Sequence, residues 1–189
     1  MIYAIQGKLI RVAPHQIWIQ VGGFVFWLRV PLSVSQTLSH QSEALLYTLL
    51  HLPREEGEPV LYGFLGEEER RLFIQLLRVR NLGPQKALAL ISHFPTELLV
   101  QVIRAGDVSA LTSVKGIGKK LAQQLILDMQ PALQHFASHS LSPQYAEAYE
   151  ALVTLGLTPQ EAHTRLQAAL KEEPEAPAEK LVQLALKSS

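Results

Sequence analysis

The chain contains no cysteine. Disulfides and thiolate metal sites are therefore excluded, and nothing points to an oxidising compartment. It also lacks any long apolar run. The densest, Ala44 to Leu52, is broken by Tyr47, Thr48 and His51 and is too short to span a bilayer. The opening MIYAIQGKLIRVAPHQ has no basic start leading into an apolar stretch, so no signal peptide is expected. These absences predict a soluble, cytoplasmic protein with no membrane partner. An excess of either charge is missing too: 17 Lys+Arg face 17 Asp+Glu, a net charge of zero. What is present is core material, since 48% of the 189 residues are hydrophobic. That suffices for one sizeable core or for two or three small ones.

The zero net charge hides a segregated distribution. Residues 1–50 carry Lys8, Arg11 and Arg29 against Glu43. Residues 51–75 carry three arginines against six glutamates, and residues 131–189 four basic groups against seven acidic. Residues 76–130 hold seven basic and three acidic groups. The middle of the chain is thus a basic module suited to a polyanion, flanked on both sides by acidic stretches.

Residues 2–64 read as β structure. Ile2 to Val12, Gln16 to Val21 and Phe24 to Val30 are rich in Ile, Val, Phe and Trp. Gly22-Gly23 between the second and third runs is a hairpin signal, because glycine accepts positive φ. Leu45 to Leu52 and Val60 to Phe64 supply two more strands. Five or so short antiparallel strands suit a small closed barrel, since closure removes exposed edges. Phe24 and Phe26 share one face of their strand and are expected in its core.

From Glu67 the period becomes helical, with Leu72, Phe73, Leu76, Leu77 and Val79 on one face. Glu67, Glu68 and Glu69 are expected to form a solvated first turn. Helices continue to about Met129. Residues 131–144 read as a linker, and residues 145–189 as three helices. Ser142-Pro143 and Thr158-Pro159 start the first two of these, Gly156 stops the first, and Glu179 to Leu186 forms the last.

The stretch VKGIGKKLAQQL repeats an earlier one at an offset of 35 residues. Leu76, Val79, Leu82, Gly83 and Ala87 match Leu111, Val114, Ile117, Gly118 and Ala122. The shared pattern is helix, tight turn, helix. Asn81-Leu82-Gly83 forms one turn and Gly116-Ile117-Gly118 the other. Leu82 and Ile117 are expected to point inward. The glycines, and Asn81 as the next-best residue at positive φ, leave amides free at the following helix start. Arg80, Lys86, Lys115, Lys119 and Lys120 add charge. Such a turn pair binds phosphates without reading sequence.

Rival chemistries lack their residues. Ser113 and Lys120 stand where a P-loop needs glycine and a hydroxyl, and Leu121 where a dinucleotide fingerprint needs glycine. His135 and His139 are four apart, but no carboxylate completes a metal set. No nucleophile elbow or zincin motif occurs. A DNA-repair glycosylase would need a carboxylate after the second turn, for which Asp128 is the nearby candidate. A pure interaction adaptor would use residues 145–189 alone.

The two turns resemble tandem helix-hairpin-helix motifs of non-sequence-specific DNA-binding proteins. Taken with MIYAIQGKL, VGGFVFWLRVP, the REE segment before LYGF, and ALVTLGLTPQEA, the whole chain resembles the RuvA family of Holliday-junction-binding subunits. The resemblance implies an α+β multidomain protein. An oligonucleotide-binding-type barrel would occupy residues 1–64, a tandem hairpin domain 65–130, a flexible linker 131–144 and a three-helix domain 145–189. It implies a homotetramer, or two tetramers face to face, on an open four-way junction, acting in recombination, repair and the SOS response. The DNA-backbone residues would be Arg80, Asn81, Leu82, Gly83 and Lys86, with Lys115, Gly116, Ile117, Gly118, Lys119 and Lys120. An acidic pin would fall at Glu55 and Glu56, although a loop longer by about one residue leaves Glu58 open as well. Leu155, Gly156 and Leu157 would meet the RuvB ATPase, and the RuvC resolvase is a further optional partner. No catalytic residue, metal or cofactor is implied in this chain; ATP and magnesium belong to RuvB. Asn81 for glycine and Gln85 for lysine depart from the family pattern.

Overall fold

The computed structural model describes residues 2–53, 58–133, 136, 143–157, 159–173 and 176–187. The β-rich start forms β1 (Ala4–Ala13), β2 (Gln16–Val21), β3 (Phe24–Arg29), β4 (Glu43–His51) and β5 (Val60–Phe64), closed into a barrel in the order β1-β2-β3-β5-β4. β1 pairs with β4 through Ala4–Lys8 and with β2 through Lys8–Ala13, and a register shift between Leu9 and Arg11 lets one strand serve both neighbours. Closure is not fully antiparallel: β3 and β5 run parallel at Arg29 and Tyr62. Parity requires this, because an odd number of strands around a closed barrel cannot all alternate in direction.

The barrel interior is filled by Ile5, Ile17, Ile19, Leu28 and Leu46. Each buried side chain of this size contributes about 1.5–3 kcal/mol. A helix that the sequence pattern did not disclose, α1 (Leu32–Leu38), plugs one end with Val34 and Leu38. Seven residues with two apolar positions four apart are too short a signal to separate helix from strand. Phe24 is also not where alternation puts it. It is 73% exposed at the hairpin tip, and only Phe26 packs against the barrel core. Alternation assigns a face, but the end residue of a strand, here the first of β3, can lie beyond the rim.

The helical part comprises α2 (Glu67–Leu76), α3 (Pro84–His93), α4 (Thr96–Ala105), α5 (Val108–Thr112) and α6 (Lys119–Leu133). Its core is continuous with the barrel wall. Tyr62 and Phe64 of β5 belong to the same buried cluster as Leu72, Phe73, Leu99 and Leu125. The Phe73 ring lies 5.0 Å from Tyr62 and 4.9 Å from Phe64. The acidic first turn of α2 does more than meet solvent. Glu67 accepts a hydrogen bond from the Tyr3 hydroxyl, and Glu69 accepts one from the Leu65 amide at 3.2 Å. Burial pushes the Glu69 carboxyl up to about 7, reinforced by Glu97, while the Leu65 amide opposes the shift. Buried Arg70 donates to the Thr48 carbonyl at 2.6 Å, and its guanidinium covers the Tyr3 ring at 4.7 Å.

α6 passes through Pro131 and ends at Leu133, inside the stretch expected to be linker. Leu133 and Phe136 are buried in the helical core. Arg104 of α4 donates to both of their carbonyls, at 2.8 and 3.0 Å. These bonds cap the carbonyls that a helix end leaves open.

The last elements are α7 (Pro143–Thr154), α8 (Pro159–Glu172) and α9 (Ala178–Lys187), built around Tyr145, Leu152, Leu166 and Leu181. The expected starters Ser142 and Thr158 lie outside the described residues. α7 ends in a Schellman motif. Gly156, at φ +98°, donates to Val153 and Leu157 donates to Leu152. No single helix among the described residues is long and apolar enough to cross a membrane.

Candidate nucleic-acid interface

The 35-residue repeat is a repeat of geometry. Asn81 has φ +63° and Gly116 φ +90°, so both turns reverse through a left-handed residue. Leu82 and Ile117 follow and are buried, as are Val79 and Val114. Three backbone hydrogen bonds recur in register. Val79 to Leu76, Leu82 to Val79 and Ala87 to Gly83 are matched by Val114 to Leu111, Ile117 to Val114 and Ala122 to Gly118. Asparagine reaches the same backbone path as glycine because its short polar side chain tolerates this region. Each turn is thus anchored by one apolar side chain, and the amide-bearing edge of the next helix stays outside.

Electrostatics separate these two helix starts from the others. α2, α4, α8 and α9 each carry glutamate in the first turn, where it complements the helix dipole. α3 and α6, the helices that leave the two turns, carry none. Lys86 stands in the first turn of α3, and Lys119 and Lys120 open α6. α1, α5 and α7 lack an acid there too, but hold no cation. Arg80, Asn81, Gly83, Lys115, Gly116, Gly118, Lys119 and Lys120 are all exposed, and Lys86 is half-buried. The expected backbone-binding residues therefore fall into two matched clusters, each at a cationic helix start that a dipole alone disfavours.

Asp128 couples the clusters. Its carboxylate accepts from the Arg80 amide at 3.4 Å and from the Gln124 side chain at 2.7 Å. It lies on α6 yet reaches the first turn, so it acts as a positioning group between the hairpins. The sequence signal was present, since it is the one acidic residue on that helix, but its partner lies 48 positions earlier.

Other expected residues are distributed elsewhere. Glu55 and Glu56 lie outside the described residues; Glu58 is exposed at the start of the segment leading into β5. His135 and His139 also lie outside them. Among the described residues no three His, Asp or Glu side chains are grouped to hold a metal. Leu155 is 62% exposed, Gly156 is exposed, and Leu157 is partly buried against the three-helix core. On the barrel, Trp18 and Trp27 are paired across β2 and β3, and each is covered by an arginine: Arg11 at 4.9 Å and Arg29 at 5.6 Å.

A closed five-stranded, oligonucleotide-binding-like barrel, wedded through one core to a tandem helix-hairpin-helix unit and followed by three helices, defines the class. Comparison with known proteins narrows it. The family models for the RuvA N-terminal domain, the SAM-like helix-hairpin-helix tandem and the RuvA C-terminal domain match residues 1–63, 73–130 and 143–189. The Holliday junction branch migration complex subunit RuvA of Amoebophilus asiaticus is 36% identical, over 99% of this chain and all of the relative. Those of Cellvibrio japonicus and Pseudomonas savastanoi are 32% and 35% identical, each over 98% of the relative's length. The chain belongs to the RuvA family.

Proposed function

We propose that this chain is a DNA-binding scaffold specific for four-way junctions, with no active site of its own. The reading is carried by the duplicated turn with cationic, acid-free helix starts, set in the basic block of a chain of zero net charge. The two hairpins hold backbone phosphates through first-turn amides and through Arg80, Lys86, Lys115, Lys119 and Lys120. The functional units are residues 1–64, 65–130 and 145–189, the last joined by 131–144. Four chains assemble around the junction, alone or as two tetramers face to face, in the cytoplasm. They keep it open and square for recombination and repair while the RuvB motor, which uses ATP and magnesium, drives branch migration. Binding to a synthetic four-way junction should exceed binding to a linear duplex of the same sequence by at least tenfold in gel shifts; equal affinity removes the proposal.

Two further assignments rest on the family. Glu55 and Glu56 form the pin, where carboxylates repel phosphates and keep strands off the centre. Leu155 and Gly156, with the edge of Leu157, meet RuvB through an apolar contact. In a reconstituted branch-migration assay, Glu55→Lys with Glu56→Lys should leave junction binding intact and change the migration rate, whereas collapse of binding would refute the pin. In the same assay Leu155→Asp should abolish motor recruitment with junction binding unchanged; unimpaired recruitment would move the contact elsewhere.

A further inference from the structure

Between the barrel and the first hairpin lies an open groove of about 520 Å³ whose described lining contains no acidic side chain. One wall is the β3–β5 seam, with Arg29 and Tyr62, and the adjoining end of β4, with His51. The other is the first hairpin, with Gly83 and Lys86. The seam holds Arg29 firmly. Its backbone is the parallel partner of Tyr62, and its guanidinium lies 5.6 Å from the Trp27 ring. The guanidinium is also beside the Tyr62 hydroxyl; burial raises that phenol's pKa and Arg29 opposes the rise. Tyr62 is fixed in turn by the His51 ring at 6.2 Å and by Phe73 at 5.0 Å. Among the described residues Arg29 forms no salt bridge. A guanidinium flanked by two aromatic residues, facing a groove with no acid among its described lining, is preorganised for a phosphate or other oxyanion.

The groove's position selects the occupant. It is continuous with Gly83 and Lys86, which belong to the first backbone-binding turn. It reaches to the ends of β4 and β5, the strands that bracket the acidic segment at 52–59. A DNA strand running from the first hairpin toward the junction centre has to cross it. We propose that Arg29 and Lys86 together clamp the backbone of this strand, so that the barrel adds a phosphate contact made only near the branch point. The proposal rests on the junction-binding reading above, and assigns to the barrel a part in telling a junction from a plain duplex.

The test uses the full-length chain and compares a synthetic four-way junction with a linear duplex over a range of salt concentrations. Arg29→Gln should weaken junction binding about three- to tenfold, lower the slope of log affinity against log salt, and leave duplex binding unchanged. Arg29→Lys should recover most of the affinity. A structural role for Arg29 would instead lower both affinities together and would not be rescued through charge. Either that result or unchanged junction affinity in Arg29→Gln overturns the proposal. If the unsubstituted chain shows no junction preference, the functional reading fails first and this inference falls with it; if the preference holds and Arg29→Gln retains it, this inference alone falls.

Discussion

Replacing Lys119 and Lys120 together by alanine is expected to lower junction affinity on the order of a hundredfold near physiological salt and to flatten its salt dependence. The same change should leave the fold intact or slightly more stable. Both lysines are exposed at the start of α6, which has no acid in its first turn. There they oppose the helix dipole, at a cost of about 0.3–1 kcal/mol each. Among the described residues neither takes part in an ion pair. Residues that disfavour their own helix are not there for stability. Thermal unfolding and anisotropy titrations on the one variant should therefore move in opposite directions or in affinity alone. A fall in both together would mean that the lysines hold the hairpin rather than the DNA. Lys119→Glu with Lys120→Glu sharpens the contrast, because glutamate suits the helix start and repels phosphate.

Such contrasts explain which features could be read from the sequence. The two turns were legible because every determinant is local. A left-handed residue, a buried apolar residue and a helix start follow one another within four positions, twice. Even Asn81 could be placed, since its tolerance of positive φ is a property of the residue itself, and it adopts φ +63°. The Gly22-Gly23 hairpin was legible for the same reason, and Gly22 takes φ +58°. The parallel β3–β5 seam was not, because it is a consequence of strand count and closure rather than of any segment. Residue-level chemistry set by that seam was equally hidden. Arg29 looks like an ordinary strand-end charge until Tyr62 and the first hairpin come beside it. Arg70 and Asp128 were hidden likewise, since their partners Thr48 and Arg80 lie 22 and 48 positions away. Pro131 marks a boundary on local grounds alone, but the Arg104 bonds to the carbonyls of Leu133 and Phe136 carry ordered structure past it.

The long-range seam also directs the largest expected effect on stability, which belongs to Phe73→Ala. Phe73 is fully buried on α2, and its ring meets Tyr62 and Phe64 of the barrel at 5.0 and 4.9 Å. Removing it leaves a cavity where barrel and hairpins share one core. A Phe-to-Ala change at such a site costs about 3–5 kcal/mol. Arg70 and the Tyr3–Glu67 hydrogen bond also tie α2 to the barrel, but through polar contacts to Thr48 and Tyr3, which cannot refill that space. In urea titrations the barrel and hairpin signals should unfold together at a much lower midpoint. Leu166→Ala, in the separate core of the last three helices, should leave that transition unchanged. A loss below about 1 kcal/mol in Phe73→Ala would show that the two parts are merely adjacent. Tyr62 makes the coupling matter for function. Its ring packs on Phe73 and its hydroxyl stands beside Arg29. Loss of the Phe73 ring should therefore weaken junction binding more than duplex binding even under conditions where the variant remains folded.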